Sequence, residues 1–319
     1  MREIILPSGL SIATSLDKKR REKIDYQAVI QAAQTIHREQ KKREIVQPSA
    51  QLKITTADPV VVFTQGDLHI GNTDVNYAEL LRQHDVIRAM RNAFASLTGD
   101  ILDNGFIFRE GGWAENLPYD MQGEVACSLL KDLDEGGKVL WNTVGNHDLF
   151  QQNVFPTYFG TMNFPIIGPN HGRVDLQVGE QDYNFFTFHK LSMGSSTMSP
   201  LLRCQRALEY FDQDADVLIG GHTHRKVIGQ YKLGIDKQKK LRTMIETGTF
   251  KPEERFQREQ GNLRTANFDY GGAGVILFPD KKEVMPFYDF DQGVEMINGL
   301  TGLKSVLTAT TSNILRNRG

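Results

Sequence analysis

The sequence predicts an α/β protein, and three observations carry that prediction. From Val60 onward, short β-rich runs alternate with helical stretches. The first run, Val60-Val61-Val62-Phe63-Thr64, is almost wholly apolar, as a buried strand would be. Clusters of Gly, Asp, Asn and His follow several of the runs, and ligands of open α/β sheets gather at the carboxyl ends of strands.

Taken in order, Tyr77–Phe94 reads as a helix and Ala95–Thr98 as a weaker strand, poor in β-branched residues. Met121–Leu133 is expected to be helical, and Lys138–Val144 a strand. Tyr183–Phe188 follows a hairpin-like turn at Gly179-Glu180-Gln181, then Leu201–Phe211 reads as a helix and Asp216–Ile219 as a strand. Leu241–Glu246, Gly274–Phe278 and Glu283–Tyr288 are further β-like runs. Upstream, Ala28, Val29, Ala32, Ala33 and Ile36 recur at helical spacing between Asp17 and Glu44, flanked by basic runs, and Pro48 ends the pattern. The expected organisation is a basic helical extension over residues 1–55, a catalytic domain over 56–290 and a C-terminal tail over 291–319.

The chain has 319 residues, 39% apolar and 24% charged, which allows a sizeable core and excludes wholesale disorder. Net charge is −2, but residues 1–55 carry 11 basic and 6 acidic side chains against 26 and 33 in the remainder. A near-neutral total therefore hides a basic arm and an acidic body, and does not exclude a nucleic-acid partner. Two cysteines, Cys127 and Cys204, cannot form a thiolate zinc site or a disulfide scaffold. No apolar run approaches the ~18 residues of a membrane span, and Ile4-Ile5-Leu6 before Pro7 is too short for a signal-peptide core. A cytoplasmic protein without a membrane partner is the expectation; the oligomeric state is left open.

Five polar clusters carry the chemistry. Gly66-Asp67-Leu68-His69 follows the Val60 run, Gly99-Asp100-Ile101-Leu102-Asp103 follows Ala95–Thr98, and Gly145-Asn146-His147-Asp148 follows the Lys138 run. His189 ends the Tyr183 run, and Gly221-His222-Thr223-His224 ends the Asp216 run. Imidazole and carboxylate together suit first-row divalent metals, and neighbouring glycines permit sharp turns. Each cluster alone is a weak signal; five of them, all after β-like runs and with no competing thiolate, point to a metal site. The Asp212-x-Asp214-x-Asp216 run lacks the glycine and glutamate of a calcium loop and reads as a helix end and turn. His37 and His84 read as surface or packing residues, and His171 as a turn residue.

In order and spacing these five blocks resemble the calcineurin-like metallophosphoesterase superfamily, over about Val60 to Tyr288. The resemblance implies a four-layer β-sandwich of two mixed sheets flanked by helices, with a dinuclear site at one edge. It implies that Asp67, His69 and His224 bind one metal, that Asn146, His189 and His222 bind the other, and that Asp100 bridges both. The ions expected are Mn²⁺, with Fe or Zn as alternatives. His147 would protonate the leaving oxygen, and Asp103 would orient that histidine. Arg109 and Arg225 are candidate substrate contacts. Asp103 is followed by Asn104 and Gly105 where protein phosphatases of the superfamily continue Arg-Gly, and Asp148 stands where they carry Glu.

The resulting expectation is a metal-dependent phosphoesterase, and more specifically a phosphodiesterase of nucleic acid (DNA or RNA) or nucleotides. The alternatives are a phosphomonoesterase or protein phosphatase, and a metal-binding assembly protein without turnover.

Overall fold

The computed structural model describes residues 2–5, 11–14, 31, 46–104, 117–149, 154–191, 200–211, 214–233, 240–251 and 270–302. The chain divides into two units, Met1–Glu44 and Ile45–Gly319. In the first, Arg2–Ile5 (β1) pairs antiparallel with Ser11–Thr14 (β2), Arg2 opposite Thr14. The helix expected between Asp17 and Glu44 lies outside the described residues except for Gln31, which is helical.

The second unit contains a seven-stranded and a six-stranded sheet. At the centre of the first sheet, Val60–Gln65 (β5), Ala93–Leu97 (β6) and Val139–Thr143 (β7) run parallel. Ile166–Ile167 (β8) and Val46–Gln47 (β3) extend it on one side, Ala273–Leu277 (β14) and Val284–Phe287 (β15) on the other. In the second sheet Gln181–Phe188 (β10), Val217–Gly220 (β11) and Lys240–Thr247 (β13) are parallel neighbours. Lys226–Leu233 (β12) closes one edge, while His171–Val178 (β9) and Ser49–Ile54 (β4) close the other.

Alternation along β5 sets the layers. Val60 and Val62 face the second sheet and share one core with Trp141, Val174, Tyr183 and Ile219. Val61 and Phe63 point the other way, toward Leu80 and Ile87 of Tyr77–Ala89 (α1) and Leu130 of Tyr119–Glu135 (α2). A strand covered on both faces has no polar face, which is why the Val60 run is continuously apolar. Helix Val154–Phe159 (α3) follows β7, and Pro200–Tyr210 (α4) packs Cys204 and Leu208 on Phe188 and Leu218 of the second sheet. The order helix–sheet–sheet–helix is the expected four-layer sandwich.

The structure differs from the sequence reading at several elements. Helix α1 stops at Ala89, its last N–H cap falls on Met90 in extended backbone, and Phe94 belongs to β6 instead. Strands β1, β2, β3, β4, β8, β9 and β12 are not among the runs expected from the sequence. Residues 290–302 form a helix (α5) whose buried Phe290 ring lies 4.3 Å from that of Phe63. His84 is a packing residue, buried in α1 with Nε2 donating to Gln65 Oε1 at 3.1 Å. His171 opens β9 rather than a turn, its ring against those of Phe186 and Phe211. Both cysteines are free. Among the described residues no helix is long and apolar enough to cross a membrane.

Candidate metal centre

Parallel neighbours end on the same side of a sheet, so the loops after β5, β6 and β7 meet, as do those after β10, β11 and β13. Cross-sheet hydrogen bonds join the two sets at this end. Thr143 Oγ1 lies 2.6 Å from Thr187 Oγ1, Thr98 Oγ1 lies 3.2 Å from Thr247 Oγ1, and His189 Nδ1 donates to the Thr98 carbonyl at 2.6 Å. The five polar clusters thereby come to one place.

The loops approach so closely that glycine is obligatory at two points. A Cβ on Gly99, at φ +86°, would lie 2.5 Å from the Gly145 nitrogen, and one on Gly145 would lie 2.2 Å from the Asp100 nitrogen. Among the described residues seven non-glycine residues have positive φ, and five of them are Asp67, His69, Asp100, His222 and His224. Left-handed backbone costs such residues ~1–3 kcal/mol each and persists where surrounding contacts over-determine it. Strain collects on the residues whose side chains converge.

Three donor groups result among the described residues: Asp67-His69-His224, Asp100-His189-His222, and His69-Asp103-His147, which shares His69 with the first. Asp67 Oδ1 lies 3.3 Å from His224 Nε2 and 3.9 Å from His69 Nε2, and the two imidazole nitrogens are 3.0 Å apart. Asp100 Oδ2 lies 3.0 Å from His189 Nε2, with His222 in the same group. Each carboxylate spends one oxygen on a main-chain N–H: Asp67 Oδ2 accepts from His222 N and Asp100 Oδ1 from His147 N, both at 2.8 Å. The other oxygen is left for the cluster. Asn146 Oδ1 is buried without a hydrogen bond, an expensive condition unless something binds it. Two of the imidazoles are held from behind, His189 by the Thr98 carbonyl and His69 through Nδ1 by Asp103 Oδ1 at 2.9 Å. That leaves Nε2 of each as the lone-pair donor, the arrangement a metal-binding histidine needs. The residues present fit a divalent cation.

Electrostatics follow from burial and proximity. Burial alone would raise Asp67 and Asp100, but His224 beside the one and His189 beside the other outweigh it and hold both below the usual carboxylate range. Burial works against the His189 imidazolium, yet Asp100 pushes it up to about 9. His69 and His222 are lowered to about 4, by burial and then by the charges of Lys251 and His189 respectively. Burial, followed by Asp100, raises Asp148 to about 6. Asp148 braces the loop, accepting from Gly145 N at 2.9 Å and Leu102 N at 3.2 Å.

His147 is half-buried, its ring edge-on to His69 at 4.9 Å and its Nε2 3.9 Å from Asp100 Oδ2. Asp103, the partner expected for it, meets it through the main chain rather than through the carboxylate. Nδ1 of His147 donates to the main-chain carbonyl of Asp103, while the Asp103 carboxylate turns to His69 and to Lys251 Nζ at 3.0 Å, and accepts from Asn72 Nδ2 at 3.0 Å. Asn104 is fully buried and donates from Nδ2 to the His147 carbonyl at 3.0 Å. Arg225 is half-buried directly after His224, and Arg109 lies outside the described residues.

Two buried cations were missed by the sequence reading. Lys251 lies in Gly248-Thr249-Phe250-Lys251 after β13, a polar cluster obeying the same strand-end rule as the other five. Arg203 lies within α4 and donates to the carbonyls of His189 at 2.9 Å and Gly221 at 3.2 Å. Nothing in the helical pattern marks it. A groove of about 600 Å³ between Gln47–Leu52 and Phe159–Ile166 contains none of the converging groups.

Fold and site together define a four-layer α/β protein with a histidine- and carboxylate-rich centre at the strand ends of both sheets. The five blocks that carry the motif resemblance thus converge at one place in this chain. Among solved structures the chain is similar to vacuolar protein sorting 29 from Cryptosporidium parvum, at 19% identity over 73% of this chain and 100% of that one, with a TM-score of 0.34. It is similar to a predicted phosphoesterase from Streptococcus pneumoniae at 12% identity, over 73% and 100% of the two chains, with a TM-score of 0.34. A metallophosphoesterase from Sphaerobacter thermophilus aligns at 14% identity over 75% and 94%, also with a TM-score of 0.34. No protein-family profile matches the chain, and no curated protein does.

Proposed function

We propose that this protein hydrolyses phosphate esters with two divalent metal ions, and that its substrates are phosphodiesters of nucleic acid or nucleotides. The observation that carries the reading is the meeting of two donor sets, Asp67-His69-His224 and Asp100-His189-His222, at the joined strand ends of two sheets. In this reading the first set holds one ion, His189, His222 and Asn146 hold the second, and Asp100 serves both. The mixed imidazole, amide and carboxylate donors suit Mn²⁺, with Fe or Zn as alternatives. When bound, such ions supply Lewis acidity toward phosphoryl oxygens and lower the pKa of a water.

The remaining work falls to the chain. A carbonyl only accepts, so the contact of His147 Nδ1 with the Asp103 carbonyl fixes the ring with Nε2 as the atom that exchanges a proton. Facing Asp100 at 3.9 Å, that nitrogen is placed to hand a proton to the leaving oxygen, a contribution of ~10²–10⁴-fold. Asn104, in the position where a protein phosphatase presents its phosphate-binding arginine, is spent on bracing the His147 loop. This favours a diesterase over a phosphoprotein phosphatase. Arg225 is the candidate phosphate contact, and the basic residues of 1–55 would meet a nucleic-acid backbone.

The test is turnover with Mn²⁺ on bis-(p-nitrophenyl) phosphate and p-nitrophenyl phosphate, then on nucleotides, single- and double-stranded DNA, RNA and phosphopeptides. Faster diester hydrolysis and cleavage of a nucleic acid or nucleotide are expected. A monoester preference would overturn the diesterase assignment. Metal binding with no hydrolysis of any ester would favour an assembly protein.

A further inference from the structure

The geometry points to Lys251 as a positioning residue for the first metal site, acting through Asp103 on His69. The inference rests on the metal reading above and assigns a role to a residue outside its ligand set. Lys251 is 2% exposed, and its Nζ lies 3.0 Å from Asp103 Oδ1. The same oxygen lies 2.9 Å from His69 Nδ1, so one carboxylate atom joins a buried ammonium to a ligand imidazole. Asn72 Nδ2 takes the second oxygen at 3.0 Å, so the carboxylate is held on both sides. The carboxylate is thereby fixed in place 2.9 Å behind the His69 ring.

The lysine is itself fastened to another ligand of that site. Lys251 N donates to Thr249 Oγ1 at 3.0 Å, and Thr249 Oγ1 donates to the Asp67 carbonyl at 2.9 Å. Phe250 N donates to that same carbonyl at 3.3 Å. One short segment after β13 thus grips Asp67 through its main chain and His69 through Asp103. Burying an ammonium is costly unless it is paired. Here the pairing stands one side chain behind a ligand of the first site, and the contacts of Arg203 serve the second. Partners behind ligating histidines typically govern ~10–100-fold in metal affinity.

The experiment is Mn²⁺ titration calorimetry on the full chain, comparing wild type with Lys251→Met, Asp103→Asn and the double variant. Wild type should bind two ions. Lys251→Met should weaken one of them ~10–100-fold and leave the other within about 3-fold. Asp103→Asn should weaken the same ion, and adding Lys251→Met to it should cause no further loss, because the lysine acts through the carboxylate. The double variant removes both charges of the buried pair, so it remains informative if Lys251→Met alone is poorly folded. Two ions bound equally well by wild type and Lys251→Met would overturn the positioning role alone. Equal weakening of both ions, or a further tenfold loss in the double variant, would do the same. Absence of metal binding by wild type would overturn the metal reading and this inference with it.

Discussion

The two sheets contribute unlike halves to the centre. The seven-stranded sheet supplies both carboxylates, Asp67 and Asp100, with His69, Asn146 and His147, on three loops that follow parallel central strands. The six-stranded sheet supplies imidazoles alone, His189, His222 and His224. Acid from one sheet faces base from the other, as Asp100–His189 at 3.0 Å and Asp67–His224 at 3.3 Å show. The contacts that would hold a cation are therefore also contacts that join the sheets. Their supports differ too: Lys251 reaches His69 through a side-chain carboxylate, whereas Arg203 grips the main-chain carbonyls of His189 and Gly221.

The largest effect is expected where the seam is cut. Asp100→Ala removes the group placed to serve both ions, so Mn²⁺ affinity should fall by more than the ~10–100-fold of an outer contact, and turnover should drop to background. It also leaves buried His189 without its partner, which should cost the metal-free protein about 3 kcal/mol in urea denaturation. Retention of two tightly bound ions would show that Asp100 is not shared between the halves.

A smaller effect sharpens the contrast through pH. His189, raised to about 9 by Asp100, stabilises the metal-free fold fully below the ordinary imidazole value, and that contribution is lost as pH rises through about 9. Glu246, raised to about 8 by burial, acts in the same direction, its contribution fading between the ordinary carboxylate value and about 8. The urea midpoint of metal-free protein should therefore fall between about pH 6.5 and 9, and the fall should be shallower in His189→Gln. Parallel slopes in the two proteins would remove His189 from the seam.

How much of this was legible in the sequence depends on how local each signal is. The ligand loops were legible because glycine, carboxylate and imidazole must sit together where a strand ends, and a strand end is a local event. Lys251 obeys the same rule, lying just past the end of the Leu241–Glu246 run. Strand β9 carried a strict alternation, buried at Gly172, Val174, Leu176 and Val178, but only two of its eight residues are β-branched. Strand β6 was weak because Ala93 and Ala95, on the face that α1 and α2 cover, are small and not β-branched. Arg203 and the turning of Asp103 from His147 to His69 were not legible. Both depend on which loops fold against one another, and no spacing records that.

The central claim is that the converging side chains divide into groups that hold metal and one that moves a proton. The most direct measurement is Mn²⁺ stoichiometry beside diester turnover for wild type and His147→Gln. Two ions should remain bound in the variant, while turnover falls ~10²–10⁴-fold. Loss of metal in step with activity would make His147 a ligand, and unchanged turnover with both ions bound would place the proton donor elsewhere.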